Sequence, residues 1–217
     1  MTKGDLTRQR IVEVAAPLFN QHGFEGCSMQ DLMEATGLEK GGLYRHFSSK
    51  EELAAEAFRY ALKNAVKTRT AGLESVGSPL DQLHYLIRRF VEEPSFMAGG
   101  CPLMNTAIDA DDGNAVLRKL VLDAIEDWKT RLAAIVQEGI RRREIRRSVD
   151  PRRIANTIVA TLEGALMISR LEGSRIALRD AQESLTVLLG EIACPSSRVR
   201  ANRRAAARVA RAIGPVQ

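Results

Sequence analysis

The sequence predicts an all-α fold, in which a small three-helix unit is followed by a larger helical bundle. Three observations support this prediction. Aromatic residues make up 5% of the 217 residues, and runs of Gly or Pro are few, a composition that favours helices over sheets. Apolar residues recur at intervals of three and four along most of the chain, which is the period of an amphipathic helix. No stretch keeps the strict apolar–polar alternation of a half-buried strand.

The first helix is predicted over residues 7–22. Gly23 follows it, and glycine commonly ends a helix. Phe24, just beyond this glycine, is expected to pack in the core. The apolar face of the predicted helix consists of Ile11, Val14, Ala15, Leu18 and Phe19.

Residues 28–47, SMQDLMEATGLEKGGLYRHF, predict two short helices joined by a tight turn. Ser28 is a candidate N-cap with Asp31 three residues later, a weaker form of the capping box. Gly37 stands where a helix ends in a left-handed residue. The second helix is expected at about residues 39–46. Two short helices around a glycine-containing turn match a helix-turn-helix, whose second helix enters the major groove of DNA.

The rest of the chain is also predicted to be helical. Ser49 and Glu52 form a capping box that opens a helix to about residue 70. Asn114 and Asp150 are candidate caps for two later helices, and the proline after Asp150 suits a first helical position. The helices expected after residue 80 cover 81–93, 114–143, 151–172 and 178–192, with a break at 94–102.

The stretch GLESVGSPL, residues 72–80, is the segment of the first half of the chain that is rich in Gly, Ser and Pro. Such a composition marks a connection between packed units. We therefore expect one domain at residues 5–65, a second at 80–195, and a basic Arg- and Ala-rich tail at 196–217.

The net charge of +5 does not by itself predict a nucleic-acid partner. Residues 1–50 contain six basic and six acidic side chains, so the helix-turn-helix segment is formally neutral. Residues 197–217 contain six arginines and no acidic residue, so the positive charge of this segment exceeds the net charge of the whole chain. The DNA-binding prediction therefore depends on the motif. The tail is either a solvated terminus or a source of non-specific DNA affinity.

The sequence has few marks of an enzyme, a secreted protein or a membrane protein. No metal-ligand spacing, phosphate loop, nucleophile elbow or CxxC occurs, so we expect neither catalysis nor a metal or other cofactor. The N-terminal residues MTKGDLTRQR lack the apolar segment of a signal peptide. No apolar run approaches the ~20 residues of a membrane span. Three widely spaced cysteines fit a reducing compartment, and a cytoplasmic protein is expected.

Residues 7–65 resemble the N-terminal DNA-binding domain of the TetR family of transcriptional repressors. The resemblance rests on RIVEVAAPLFNQHGFEGCS, GLYRHF and SKEEL, which fall at the spacing of that family. It implies a homodimeric repressor on a palindromic operator in double-stranded DNA, with no membrane partner. It also implies that a small, largely apolar inducer, buried among the middle helices, shifts the two DNA-binding domains apart and releases the operator.

The resemblance assigns DNA contacts to residues of the motif and of the next helix. Tyr44, His46 and Lys50 match family positions that hold the sugar-phosphate backbone. The glycine pair lets the second helix approach base edges closely. The candidate DNA-binding residues are Ser28, Lys40, Gly41, Gly42, Leu43, Tyr44, His46, Phe47 and Lys50.

Several of these positions have alternative interpretations. The Ser28 hydroxyl favours a phosphate at the helix N-terminus or serves as a cap alone. Lys40 reaches a guanine edge or a phosphate, or remains solvated. Leu43 and Phe47 suit the core better, although Leu43 could also meet a thymine methyl group. Glu39 departs from the family, which often has a small hydroxyl residue there.

The inducer site is expected among apolar, adaptable side chains of the second half. Each of these side chains also suits an ordinary core. Cys101 has a further interpretation as a sensor of electrophiles or oxidants, provided that its pKa is lowered. The candidate lining residues are Phe96, Met97, Cys101, Leu103, Met104, Trp128 and Met167.

The last two predicted helices are apolar on more than one face, so they need more cover than one subunit provides. The resemblance implies that they pair with their mates across a two-fold axis as a four-helix bundle. The alternative is that they form the core of a monomer. A helical interaction module without specific DNA binding is the alternative for the whole chain.

Overall fold

The computed structural model describes residues 2–195, and within them the fold is all-α. Apart from one isolated bridge between Ile145 and Ala193, no β pairing occurs in this range. A short 3-10 helix, Leu73–Ser75, lies between α4 and α5. The basic tail at 196–217 lies outside the described residues. The helices are α1 (Lys3–Gly26), α2 (Met29–Thr36), α3 (Lys40–Tyr44), α4 (Lys50–Thr70), α5 (Pro79–Glu92), α6 (Pro102–Ala110), α7 (Ala115–Arg141), α8 (Pro151–Leu171) and α9 (Ile176–Ile192).

Helices α1 to α3 and the first turns of α4 form a small unit, which we call the head. Helix α1 packs along α4, α2 lies against α1, and α3 lies against α2. Its centre is apolar, as the spacing in α1 predicts. The buried residues of this core are Ile11, Val12, Ala15, Cys27, Leu32, Leu43, Phe47 and Leu53.

Helix α1 begins four residues before its predicted start. Thr2 caps it, since the Thr2 hydroxyl accepts from the Asp5 backbone N–H at 3.2 Å and the Asp5 carboxylate accepts from the Thr2 N–H at 2.8 Å. Gly23, with a φ of 74°, interrupts the helix where the sequence predicts its end. Phe24 then stacks on Phe19, with ring centroids 6.4 Å apart.

Helices α5, α7, α8 and α9 form the larger bundle. Their predicted caps are present, since the Asn114 side chain accepts from the Leu117 N–H at 2.9 Å and the Asp150 side chain accepts from the Arg152 N–H at 2.9 Å. The most completely buried side chains of this core are Leu83, Ile87, Leu132, Val136, Ile158, Leu162, Leu185 and Leu189.

The sequence did not predict α6. Gly99 and Gly100 turn the chain with φ values of 99° and 92°, and Pro102 then takes the first helical position, where its missing N–H costs nothing. Helix α6 packs on α1, α4 and α7 and therefore lies between the head and the bundle.

Helix α8 is the one helix among residues 2–195 that is long and apolar enough to cross a membrane by length and composition. Arg152, Arg153, Glu163 and Arg170 interrupt its apolar residues, so α8 contains no uninterrupted apolar run of that length. Core helices of soluble proteins satisfy the same criterion. One third of the most apolar 18-residue window of α8 is buried inside this chain.

Candidate nucleic-acid interface and ligand cavity

The turn between α2 and α3 has the geometry of a helix-turn-helix. The Ser28 hydroxyl accepts from the Asp31 N–H at 3.1 Å, and the Asp31 carboxylate accepts from the Ser28 N–H at 2.7 Å. At the other end of α2, Gly37 has a φ of 67° and donates its N–H to the Met33 carbonyl oxygen at 2.9 Å. Both ends of α2 are thus fixed by local hydrogen bonds. The exposed Ser28 side chain serves as the cap that the sequence predicts.

Helix α3 presents one open face to solvent. Lys40, Gly41 and Tyr44 are exposed, and the Lys40 ammonium nitrogen lies 6.0 Å from the centroid of the Tyr44 ring. A Cβ added to Gly41 would have no neighbour within 4 Å, whereas one added to Gly42 would lie 3.5 Å from Leu38. Gly41 therefore keeps this face flat, and Gly42 belongs to the packing of the turn.

Leu43 and Phe47 lie on the opposite side of α3. They are 2% and 3% exposed and belong to the core of the head. Their burial therefore favours the core interpretation of Leu43 and Phe47 over direct contact of either side chain with DNA. Their role is to hold α3 against α1 and α4, so that the face with Tyr44 points outward.

Arg8 connects α1 to the end of α3, a role that the sequence analysis missed. Its guanidinium lies 4.1 Å above the Phe47 ring, donates to the His46 carbonyl oxygen and pairs with Glu52 at 2.8 Å. Hydrogen bonds from the Ser48 side chain and from Arg8 lower the pKa of Glu52 to about 2. The main chain of His46 is therefore tied to α1 and α4.

Lys50, the first residue of α4, lies close to the start of α2. Its ammonium nitrogen is 4.4 Å from the centroid of the Phe24 ring. The pKa of Asp31 is lowered mainly by the hydrogen bond from the Ser28 side chain, and the Lys50 charge adds to that shift. The N-termini of α2 and α4, with Ser28 and Lys50, thus share one edge of the head.

A cavity of about 490 Å³ lies among α4, α5, α7, α8 and the start of α6. This volume is within the range of pockets that enclose small molecules. Three of the seven predicted lining residues, Cys101, Leu103 and Trp128, are in its wall. Other large apolar members of the wall are Leu62, Phe90, Ile135 and Leu162.

The other four predicted lining residues are not in the cavity wall. Phe96 is 45% exposed and meets the Tyr60 ring edge-on, with centroids 6.0 Å apart. Met167 is 42% exposed on the outside of α8. Met97 lies in the loop before α6, and Met104 packs in the neighbouring core cluster. The sequence alone could not separate these four from the residues of the wall, because an apolar side chain carries no mark of which gap it fills.

A polar group of three residues lies at one side of the cavity. The Arg69 guanidinium lies over the Phe90 ring at 4.0 Å, and its Nη1 is 3.9 Å from the Cys101 sulfur. The Cys101 thiol donates to Glu163 Oε1 at 3.0 Å. Glu163 Oε2 is buried without a hydrogen-bond partner among residues 2–195. Neither Arg69 nor Glu163 was predicted from the sequence as part of a site, although Arg69 continues the apolar face of α4 and Glu163 is the one acidic residue of α8.

Burial controls the acidity of this group. Removal from water raises the pKa of the Cys101 thiol to about 12 and also raises the pKa of the Glu163 carboxyl, because a buried charge is costly. A reactive cysteine requires a shift in the opposite direction. The geometry therefore gives no support to the alternative in which Cys101 senses electrophiles or oxidants.

Helix α6 joins the cavity to the head. Its start lines the cavity, and its later residues bond to α1. The Asn105 amide donates to the carbonyl oxygens of Asn20 and Gly99, both at 2.8 Å. The Asp109 carboxylate accepts from the Phe24 N–H at 2.6 Å. A displacement of α6 at the cavity would therefore act directly on the end of α1.

Two family models of transcriptional regulators match this chain, one over the head and one over the larger bundle. A family model described as "Bacterial regulatory proteins, tetR family" matches residues 11–57, and one described as "Tetracyclin repressor-like, C-terminal domain" matches residues 79–185. The transcriptional repressor DhaR of Mycobacterium sp. strain GP1 is 27% identical over 88% of this chain and 93% of its own length.

Solved structures extend this likeness to nearly the whole described chain. A TetR-family regulator from Cytophaga hutchinsonii is 37% identical with a TM-score of 0.84. A TetR regulator from Chloroflexus aurantiacus J-10-FL is 42% identical with a TM-score of 0.83. Each alignment covers 89% of this chain and 98% of the other.

Proposed function

The chain belongs to the TetR family of transcriptional regulators and is a DNA-binding regulator, and from this membership we propose that it is a homodimeric repressor released from a palindromic operator by a small, largely apolar molecule. Residues 5–65 would bind DNA, and residues 80–195 would bind the ligand and dimerise. The observation that carries the proposal is the exposed face of α3, backed by the buried Leu43 and Phe47.

We propose that α3 enters the major groove. Lys40 and Tyr44 extend from its open face, and the bare backbone at Gly41 permits close approach to base edges. Ser28 and Lys50, at the N-termini of α2 and α4, are positioned to meet phosphates, since free backbone N–H groups at helix N-termini favour anions. His46 is half-buried, and its main chain is held by Arg8.

A second copy of this chain is the partner that the outer faces of α8 and α9 favour. Five large apolar side chains are more than 40% exposed there, and an uncovered apolar surface of this kind marks an interaction site. A two-fold dimer would cover both helices with their own counterparts, and it would hold two heads at a fixed distance. The exposed residues are Met167, Ile168, Leu171, Ile176 and Val187.

Sedimentation of charged variants tests the dimer. Leu171→Glu and Val187→Glu each place a charge on the proposed interface, and we expect a monomer that has lost operator affinity. Leu122→Glu is the matched control, because Leu122 is 56% exposed on α7, outside this surface. A dimer that persists in both interface variants would contradict the proposal.

The cavity and its connection to the head support ligand release. A molecule in the cavity would touch the start of α6 at Cys101 and Leu103. The same helix is bonded to α1 through Asn105 and Asp109. Ligand binding that favours a second position of α6 would thus change the position of the head and lower operator affinity.

Fluorescence anisotropy on DNA from the upstream region of the gene, compared with scrambled DNA at two salt concentrations, tests the proposed function. We expect tight binding to the upstream DNA alone and a loss of about tenfold or more in Tyr44→Ala and Lys40→Ala. Lys63→Ala, which removes an exposed charge from α4, should bind normally. Equal, weak binding to both DNAs that disappears on deletion of residues 197–217 would assign the binding to the arginine tail and contradict the proposal.

A further inference from the structure

We propose that the natural ligand is an apolar carboxylate, whose ionised acid group pairs with Arg69 while its hydrocarbon or aromatic body fills the cavity. This inference rests on the proposed function, because it assigns the chemistry of the ligand that the cavity holds. It is carried by the position of one guanidinium in an otherwise largely apolar wall.

Arg69 has no ion-pair partner among the residues that the structure describes. It lies in the last turn of α4 and its guanidinium covers the Phe90 ring at 4.0 Å. None of the ion pairs between residues 2 and 195 includes it. Arg89, by contrast, pairs with Glu93 and donates to the Thr68 carbonyl oxygen. A half-buried guanidinium that faces a cavity and lacks a carboxylate has donors available to a ligand.

Glu163 does not fill the role of that missing partner. The Cys101 thiol lies between the two, 3.9 Å from Arg69 Nη1 and 3.0 Å from Glu163 Oε1. Burial raises the pKa of Glu163 more than the Cys101 hydrogen bond and the nearby Arg69 charge lower it, because removal from water disfavours the carboxylate. Glu163 is not among the residues that line the cavity, so a ligand carboxylate that approaches Arg69 from the cavity side is separated from Glu163 by the Cys101 thiol.

The remaining charges of the cavity wall cancel. Besides Arg69, the charged lining residues are Asp127 and Arg131, which have opposite signs and are exposed on α7. Arg69 therefore accounts for the net positive charge of the wall. Apart from Thr70 and Cys101, the rest of the wall is apolar, and it includes Phe90 and Trp128, whose rings stack at a centroid distance of 5.8 Å. One anionic group on an apolar body matches this distribution.

Matched probe pairs test the proposal. Trp128 is the single tryptophan of the sequence and lines the cavity, so its fluorescence reports on occupancy. We would titrate the protein with decanoate and 4-phenylbutyrate, and with their primary amides as neutral counterparts. The expected result is tighter binding of the carboxylates by tenfold or more, with the preference abolished in Arg69→Met and the binding of amides unchanged.

Two control variants separate charge from packing. Arg69→Lys keeps the positive charge and should retain part of the preference. Arg118→Met removes an arginine that is exposed on α7 outside the cavity wall, and it should alter the preference by less than threefold. Equal affinity of wild-type protein for carboxylates and amides would overturn the proposal. So would an equal loss of both probe types in Arg69→Met, or tighter binding of decylamine than of decanoate, which would favour recognition by Glu163.

Operator binding is measured in parallel, so that the two proposals fail separately. Carboxylates could bind more tightly than amides in an Arg69-dependent way and yet leave the operator anisotropy unchanged. That result would support the proposed carboxylate site at Arg69 and contradict ligand release. Operator binding that responds only to the neutral amides would support ligand release and overturn the proposed carboxylate site at Arg69.

Discussion

Replacement of Asn105 by alanine tests whether α6 is fastened to the head. The Asn105 amide donates to the Asn20 and Gly99 carbonyl oxygens at 2.8 Å each, and it lies 3.1 Å from Asn20 Oδ1. Asn20 is only 6% exposed, so water replaces these bonds poorly. Each buried acceptor left without a donor costs about 1–3 kcal/mol, and alanine regains about 0.5 kcal/mol of helix propensity. We expect the free energy of unfolding to fall by about 2–4 kcal/mol.

Urea denaturation followed by circular dichroism measures this loss, and Asn64→Ala is the matched control. Asn64 is also a half-buried helical asparagine, but its amide donates to the Tyr60 carbonyl oxygen of its own helix, at 2.9 Å. Its replacement should cost less than about 1 kcal/mol. In the anisotropy assay, Asn105→Ala should keep operator affinity but respond less to ligand. Equal destabilisation by the two substitutions would refute the view that Asn105 is a special connection.

Two further predictions concern packing and cysteine chemistry. Gly139→Ala should lower the free energy of unfolding by about 1–3 kcal/mol, because the added Cβ would lie 2.6 Å from Ile145 Cδ1. Gly4→Ala is the control for the same urea titration. It should be neutral or stabilising, since its Cβ would meet nothing closer than 3.6 Å. A thiol reagent at pH 8 should label the partly exposed Cys194 within minutes and leave Cys101, with its pKa raised to about 12, unmodified until denaturant is added. Equally fast native labelling of both, measured by mass spectrometry, would revive the sensor interpretation.

Helix boundaries were predictable where the signal is local. Ser28, Ser49, Asn114 and Asp150 each accept a backbone N–H two or three residues ahead, and such pairs are visible in the sequence. Helix α6 was not predictable in this way, because it has nine residues and its N-cap, Cys101, makes no capping hydrogen bond. Its stability comes from packing against other helices, which the local sequence does not record.

The two sites differed in how far the sequence could define them. The residues proposed to face DNA lie within one short motif or directly after it, so the pattern names them, and burial then separates Leu43 from Tyr44. The cavity draws its wall from five helices. The orientation of each helix about its own axis determines which of its residues line the cavity. In α6, for example, Leu103 lines the cavity and Met104 does not. Arg69 is a charged residue on an apolar helical face, a conflict that in retrospect marks a site.

Helix α3 has only five residues, and its shortness sets how sharply the regulator would switch. A single head would touch few base pairs, so its own affinity would be modest. In the proposed dimer, the second head would bind at the effective concentration set by its attachment to the first. For tethered binding this concentration reaches millimolar values while the geometry fits, and it falls to nearly zero when the sites are out of reach. A ligand therefore need not weaken any contact of α3 with DNA. A change of a few ångströms in the separation of the heads would return the protein to the affinity of a single head.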